Sequence, residues 1–253
     1  DDLRLVSNCQ KLVKGIDVVF HLAANFANQN SIDNPEKDLL VNGMGTLKVL
    51  EKAKKNKVNK FIFASSSCVY GNIQGEISEN TTDFKLDTPY AITKLLGEKY
   101  VNFFYEYHKL NTSILRIFNS FGPGENPGKY RNVIPNFFAK AMKNESLFMT
   151  GTGQETRDFN WVENTIQGFL LAAEKKESIG ETFNIGSGQE TKIIDIAERI
   201  NSITGNRSKI EFKDRRDWDG VISRKANISK ARKILGYNPK IDLEKHLKLT
   251  YKW

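Results

Sequence analysis

The chain has 253 residues, with 38 basic against 30 acidic side chains and a net charge of +8, enough length for one large or two modest domains around a real core. It has no apolar run of ~18 residues and no charged-then-apolar opening stretch, so a soluble protein is expected rather than a helical membrane protein. Its two cysteines, Cys9 and Cys68, have neither metal-ligand nor disulfide-framework spacing, so no metal site is expected and a reducing compartment, by default the cytoplasm, is. The positive charge would suit an anionic partner such as nucleic acid or a phosphorylated substrate. Many of the lysines, as in Glu51-Lys52-Ala53-Lys54-Lys55-Asn56-Lys57, sit at the end of an apparent helix, where cations complement the dipole; charge alone decides nothing, and nucleic acid is not the expected partner.

Asp17-Val18-Val19-Phe20-His21-Leu22-Ala23-Ala24 reads as a buried strand entering a small-residue turn. Asn34-Pro35 then gives a helix start, and Leu39, Leu40, Leu47 and Leu50 carry that helix to about Ala53. Phe61-Ile62-Phe63-Ala64 reads as a buried parallel strand running into Ser65-Ser66-Ser67-Cys68-Val69-Tyr70-Gly71. After Thr88-Pro89, the residues Ile92, Leu95, Leu96, Tyr100, Phe103, Phe104 and Tyr107 recur at helical spacing. A strand from Ser113 to Phe118 follows, and the alternation predicts a parallel, doubly wound sheet.

Such a sheet, if it binds a dinucleotide, opens with a strand, a glycine-rich turn and a helix, because glycines let the backbone approach a pyrophosphate. No such turn precedes Asp17, and Gly151-Thr152-Gly153 and Gly186-Ser187-Gly188 stand in the wrong places. The expectation is a Rossmann-like domain lacking its N-terminal piece. Downstream, residues 120–128 have loop chemistry, Asn132 starts a helix through Met142, and a helix spans about Glu163 to Lys175. Phe183 to Gly188 reads as a last strand of the main sheet, Ile193 to Ile203 as an amphipathic helix, and Ile210 to Phe212 as a short strand. The predicted division is a nucleotide domain over 1–118 and about 161–186, and a smaller α/β substrate-binding domain over about 119–160 and 187–253.

The chemistry centres on Tyr90 and Lys94, one turn apart on one helix face. A phenol titrates near ~10 and a base for neutral pH near ~7, so the cation is expected to supply about 3 units, or about 4 kcal/mol. Three hydroxyls at the end of the 61–65 strand lie where α/β sheets build sites.

Taken together, these segments resemble the extended short-chain dehydrogenase/reductase family, and more closely its NAD-dependent nucleotide-sugar epimerases of the UDP-glucose 4-epimerase kind. The resemblance covers nearly the whole chain. It implies a catalytic set of Ser66, Tyr90 and Lys94, the serine lying three residues before Val69-Tyr70-Gly71. It implies NAD contacts from Asp2, Leu3, Leu22, Ala23, Ala24, Asn42, Tyr90, Lys94 and Phe118, and substrate contacts from Ser66, Ser67, Asn119, Asn132, Arg157, Arg216 and Asp219. Plainer roles stay open for several: a surface Asp2, caps or turns for Asn119 and Asn132, an exposed helix position for Asn42, and an ion pair with Asp158 for Arg157.

The resemblance further implies a UDP-hexose substrate and a homodimer through the Asn42 and Tyr90 helices. Asn160-Trp161-Val162-Glu163-Asn164 departs from the apolar, aromatic, Val and two Asp that the family usually carries there. Three alternatives remain. A 4,6-dehydratase is disfavoured because Ser67-Cys68 replaces an acidic residue before the Val-Tyr-Gly. Cys68 resembles the thiol of GDP-sugar epimerases and epimerase-reductases, although Gly71 follows Tyr70 where those enzymes carry Pro; a small buried apolar role for Cys68 is preferred. A noncatalytic binding protein of the same fold is the alternative from another class.

Overall fold

The structure, a computed structural model, describes residues 2–81 and 85–253. Four parallel strands form the central sheet in the order Val18–His21, Lys60–Ser66, Thr112–Ile117, Thr182–Ile185. The second strand explains why the sheet is covered on both faces. Phe61 and Phe63 point into one cluster with Val49, Leu50, Val101 and Phe104, beneath the helices Gly45–Lys55 and Pro89–His108. Ile62 points the other way, into a cluster with Leu115, Phe169 and Phe183 beneath the helix Val162–Glu174. Alternation along a strand sends neighbouring side chains to opposite faces, and a parallel sheet needs both faces apolar. The fold is thus a Rossmann-like, doubly wound α/β sheet with a smaller subdomain beside it.

That subdomain has its own core, in which Phe137 and Phe138 of the helix Val133–Ala141 meet Leu147, Met149 and Trp161. Ile196 and Ile200 of the helix Ile193–Ile203 complete it. The last part of the chain divides between the two cores, unlike the single block expected for 187–253. Ala226, Ile228, Ala231, Leu235 and Tyr237 pack on the main sheet, whereas Leu247 packs in the smaller core. Pairing of Arg224–Ala226 alongside Gly75–Ile77 is what draws this segment back.

The helix expected from Asn34 to Ala53 is interrupted. Pro35–Asp38 and Gly45–Lys55 are α-helical, but Leu39–Met44 is a wider π-type turn, a local unwinding that often accompanies functional sites. Among the described residues no helix is long and apolar enough to cross a membrane.

Candidate active site

The Lys60–Ser66 strand runs directly into a single tight turn, Ser67–Tyr70, whose start is capped by Ser66: its Oγ accepts the Cys68 N–H at 3.2 Å. The turn closes at Gly71, with φ +56° and the Lys85 carbonyl oxygen only 2.0 Å from where a Cβ would lie. Only glycine fits such a position. Beneath it, the buried Tyr70 hydroxyl donates to Asn184 Oδ1 at 2.7 Å and accepts from Arg116 Nη1 at 2.9 Å.

The helix Pro89–His108 starts with Thr88 accepting the Ala91 N–H and with Pro at its first position. Tyr90, Lys94 and Glu98 follow at four-residue intervals on its buried face. Lys94 Nζ donates to the Ala64 carbonyl at 2.9 Å and lies 5.2 Å from the Phe63 ring centre and 5.7 Å from that of Tyr90. Burial lowers the Lys94 ammonium to about 8, against the opposing pull of Asp38, Cys68 and Glu98.

The expected lowering of the tyrosine by its lysine neighbour is not what the protein alone provides. Burial pushes the Tyr90 phenol up, Cys68 adds to this, and the opposing influence is a hydrogen bond with Ser66. Desolvation wins because the phenol is buried while the ammonium is drawn to the Ala64 carbonyl.

A buried polar network backs this pair. Asp38 accepts from Thr93 Oγ1 at 2.5 Å and from Asn42 Nδ2 at 2.9 Å. Asn42 also grips the Asn25 backbone from both sides, accepting its N–H at 2.7 Å and donating to its carbonyl at 3.2 Å. The π-type turn supplies the register that aims Asn42 inward, so it is a buried residue that fixes the loop after the first strand, not an exposed helix position. His21, buried against Phe63 and 2.9 Å from Thr46 Oγ1, is held neutral because burial lowers it to about 3.

Above the strand ends lies a cleft of about 730 Å³. Of the residues singled out from sequence, Leu22, Ala24, Ser66, Ser67, Tyr90, Lys94, Phe118, Asn119, Asn132, Arg157, Arg216 and Asp219 line it. Asp2, Leu3, Ala23 and Asn42 are not among the cleft-lining residues. Asp2 instead forms an ion pair with Arg4 at 2.5 Å, which holds its carboxyl down at about 2. Cys68, expected to be buried, is only partly so and faces the cleft.

Also lining the cleft, Arg157 donates from Nη2 to Asp219 Oδ1 at 3.1 Å and from Nη1 to the Thr156 carbonyl at 2.9 Å. The Arg157 partner is therefore Asp219 rather than the adjacent Asp158. Asp158 is fully buried and accepts the Ser187, Gly188 and Ala226 N–H groups at 2.7, 2.9 and 3.1 Å. This accounts for Gly186-Ser187-Gly188 as a structural element, since a Cβ at Gly186 would lie 2.7 Å from Asp158 Oδ2. Arg216 is exposed, with its guanidinium 5.5 Å from the Trp218 ring. Asn132 Nδ2 donates to Glu125 Oε1 at 2.9 Å rather than capping its helix.

Sequence reasoning missed Arg215 and Arg224, which also line the cleft. Arg224 stands in no motif; only its pairing beside Gly75 brings it there.

A family model described as "NAD dependent epimerase/dehydratase family" matches residues 2–186. The chain belongs to that family. The solved structure of the epimerase Mth375 from Methanothermobacter thermautotrophicus is 46% identical, with a TM-score of 0.98 over 100% of this chain and 76% of that one. A UDP-glucuronic acid 4-epimerase from Bacillus cereus, solved with UDP-glucuronic acid and NAD, is 32% identical, with a TM-score of 0.88 over 98% of this chain and 79% of its own. A UDP-N-acetyl-alpha-D-glucosaminuronate decarboxylase from Bacillus cytotoxicus is 32% identical over 98% of this chain and 79% of its own length. The protein is thus a member of an NAD-dependent enzyme family, and two of these relatives are named for nucleotide-sugar substrates.

The residues present fit the nicotinamide end of that cofactor. Among the described residues Lys94 Nζ makes one hydrogen bond, so it keeps N–H groups for a ligand beside Tyr90. Leu22, Ala24 and Phe118 provide an apolar wall, and Leu22 is an exposed large apolar side chain of the kind a ring can cover.

Proposed function

We propose that the protein inverts C4 of a nucleotide-sugar, a UDP-hexose, through a transient 4-keto sugar. The observation that carries this reading is that Ser66, Tyr90 and Lys94 line one cleft together with Arg157 and Arg216. NAD held beside Tyr90 and Lys94 would supply the reversible hydride exchange at C4. Tyr90 takes the C4 hydroxyl proton and later gives it back, a role for which its phenolate must be stabilised. Ser66 supplies that stabilisation by hydrogen bonding, and Lys94 adds a positive charge one turn away. Arg157 and Arg216 hold the diphosphate, for which a planar, permanently charged donor is suited. Anchoring the nucleotide leaves the keto sugar free to turn and present its other face.

The choice of epimerisation over dehydration rests on Ser67-Cys68, which offers no carboxylate beside Ser66 for eliminating water. The choice of homodimer rests on an uncovered apolar stripe: Ile92, Phe103 and Tyr107 on one helix and Leu39, Leu40 and Met44 on its neighbour are all exposed. The cleft-facing Cys68 favours a second reading, in which a thiol works at C3 or C5 of the sugar.

The test is to incubate the purified protein with NAD and UDP-glucose or UDP-N-acetylglucosamine in deuterated water and follow products by NMR. A C4 epimer without deuterium on carbon is expected, with turnover falling about 10²-fold or more in Tyr90→Phe while NAD binding persists. Deuterium at C3 or C5 would establish the thiol reading, and a 4-keto-6-deoxy product would replace epimerisation by dehydration. No product from any nucleotide-sugar would leave the binding-protein alternative.

A further inference from the structure

Arg224 has no place in the chemistry above, yet its surroundings are unusual. It is a buried cation, only 6% exposed, and among the described residues it has no carboxylate partner. Its Nη1 donates to the Ser67 carbonyl at 3.1 Å and its Nη2 to the Gly71 carbonyl. Its Nε is buried without a partner among the described residues. Burial lowers its pKa, and Arg157 acts in the same direction. Burying a guanidinium against two backbone carbonyls costs more than an apolar side chain would. The feature gained in exchange is the grip itself. Ser67 opens the turn that follows Ser66, and Gly71 closes it, so one side chain holds both ends of the turn whose Cys68 N–H fixes the Ser66 hydroxyl.

The segment that carries Arg224 is also tied to Arg157, another residue of the cleft. Asp219, five positions earlier, pairs with Arg157 at 3.1 Å. Ala226, two positions later, donates its N–H to Asp158 at 3.1 Å. Residues 219–226 therefore connect the Arg157-Asp158 pair, at the proposed diphosphate site, to the turn beside Ser66 and Tyr90. Both connections are short and polar.

We propose that Arg224 is a positioning residue that holds the Ser66 turn and makes its placement depend on nucleotide bound at Arg157. Both Arg224 Nη atoms are engaged by the carbonyls of that turn, so Arg224 acts through the turn. This inference rests on the epimerase reading for its kinetic consequence, but not for its structural one, so two readouts separate them.

The first readout is kinetic. Arg224→Met should lower kcat for the UDP-sugar about 10- to 100-fold while KM changes less than about 3-fold, the pattern of a lost transition-state alignment rather than lost binding. Arg224→Lys, which keeps the charge but cannot span two carbonyls, should recover little of this. Free guanidinium ion should restore part of the kcat of Arg224→Ala and none of that of Ser66→Ala. A rise in KM with kcat unchanged would make Arg224 a ligand contact and overturn the proposal, as would a normal Arg224→Met.

The second readout needs no turnover: amide hydrogen exchange of the peptide spanning 66–72, with and without UDP. In the wild type UDP should slow exchange there several-fold, and in Arg224→Lys it should not. If UDP-sugars are not turned over at all, the epimerase reading fails and this exchange result alone decides the clamp. Equal UDP protection in wild type and Arg224→Lys would refute it. Arg224→Lys also serves if Arg224→Met does not fold.

Discussion

Replacing Glu98 by glutamine would leave the Arg116 guanidinium buried without its counter-charge. Glu98 and Arg116 form a two-pronged pair, Nε to Oε1 at 2.9 Å and Nη2 to Oε2 at 2.8 Å, with side chains 4% and 7% exposed. Burial works against the Arg116 cation, but the hydrogen bonds and charge of Glu98 prevail and hold its proton more firmly than usual. Ser65 Oγ donates to the same carboxylate at 2.5 Å, so the pair also fixes the strand end that carries Ser66. Breaking a buried pair by removing one charge costs about 3–5 kcal/mol, because the remaining ion is stranded. At about 2–4 °C per kcal/mol for a chain of this size, the melting temperature should fall by about 10 °C. The exposed pair Arg199–Glu244, with side chains 46% and 44% exposed, is the control, and Glu244→Gln should cost about 1 kcal/mol or less. Thermal unfolding followed by circular dichroism measures both. The double change Glu98→Met with Arg116→Leu should regain much of the loss, since it strands no charge. Equal melting temperatures for Glu98→Gln and Glu244→Gln would refute the reasoning.

Because burial lowers Lys94 to about 8 from an ordinary 10.5, the unfolded chain binds more protons than the native one between those values. Stability from this group therefore rises with pH across that window and is lost as pH falls through about 8, by up to about 3 kcal/mol. Denaturation of wild type and Lys94→Met at pH 7 and 10 should show the wild type gaining relative to the variant at the higher pH; parallel profiles would exclude the shift. Gly97→Ala should destabilise by about 1–3 kcal/mol, because the new Cβ would lie 2.5 Å from the Phe63 ring; an unchanged urea midpoint would contradict that. Phe103→Glu with Tyr107→Glu, on the exposed stripe, should convert a dimer to a monomer in analytical ultracentrifugation without lowering the melting temperature of the monomer. An unaltered sedimentation coefficient would move the interface elsewhere.

Much of the framework was legible because it depends on local pattern. The alternation of Phe61, Ile62 and Phe63 specified a strand buried on both faces, and the spacing of Tyr90 and Lys94 specified one face of one helix; Glu98, a turn further on, emerged only in the structure. Helix ends at Thr88-Pro89 and at Ile203 followed from capping and stop residues. The π-type turn at Leu39–Met44 was not legible, since its leucines fit an ordinary helical period equally well. Nor was the partner of Arg157. Sequence adjacency suggested Asp158, but successive residues of the extended Thr156–Asp158 segment point apart, and Asp158 turned inward to bind three backbone N–H groups.

By itself, the sequence determined the parallel α/β architecture, the family, and the placement of a phenol and an ammonium one turn apart near a hydroxyl-bearing strand end. The tertiary structure decided the electrostatics and the long-range contacts. The balance that raises Tyr90 and lowers Lys94 depends on how much water each group loses, and burial is a property of the packed chain. Arg224 reaches the Ser66 turn only because the Arg224–Ala226 strand lies beside Gly75–Ile77. No spacing in the sequence encodes that contact, since it arises from folding two distant segments against one core.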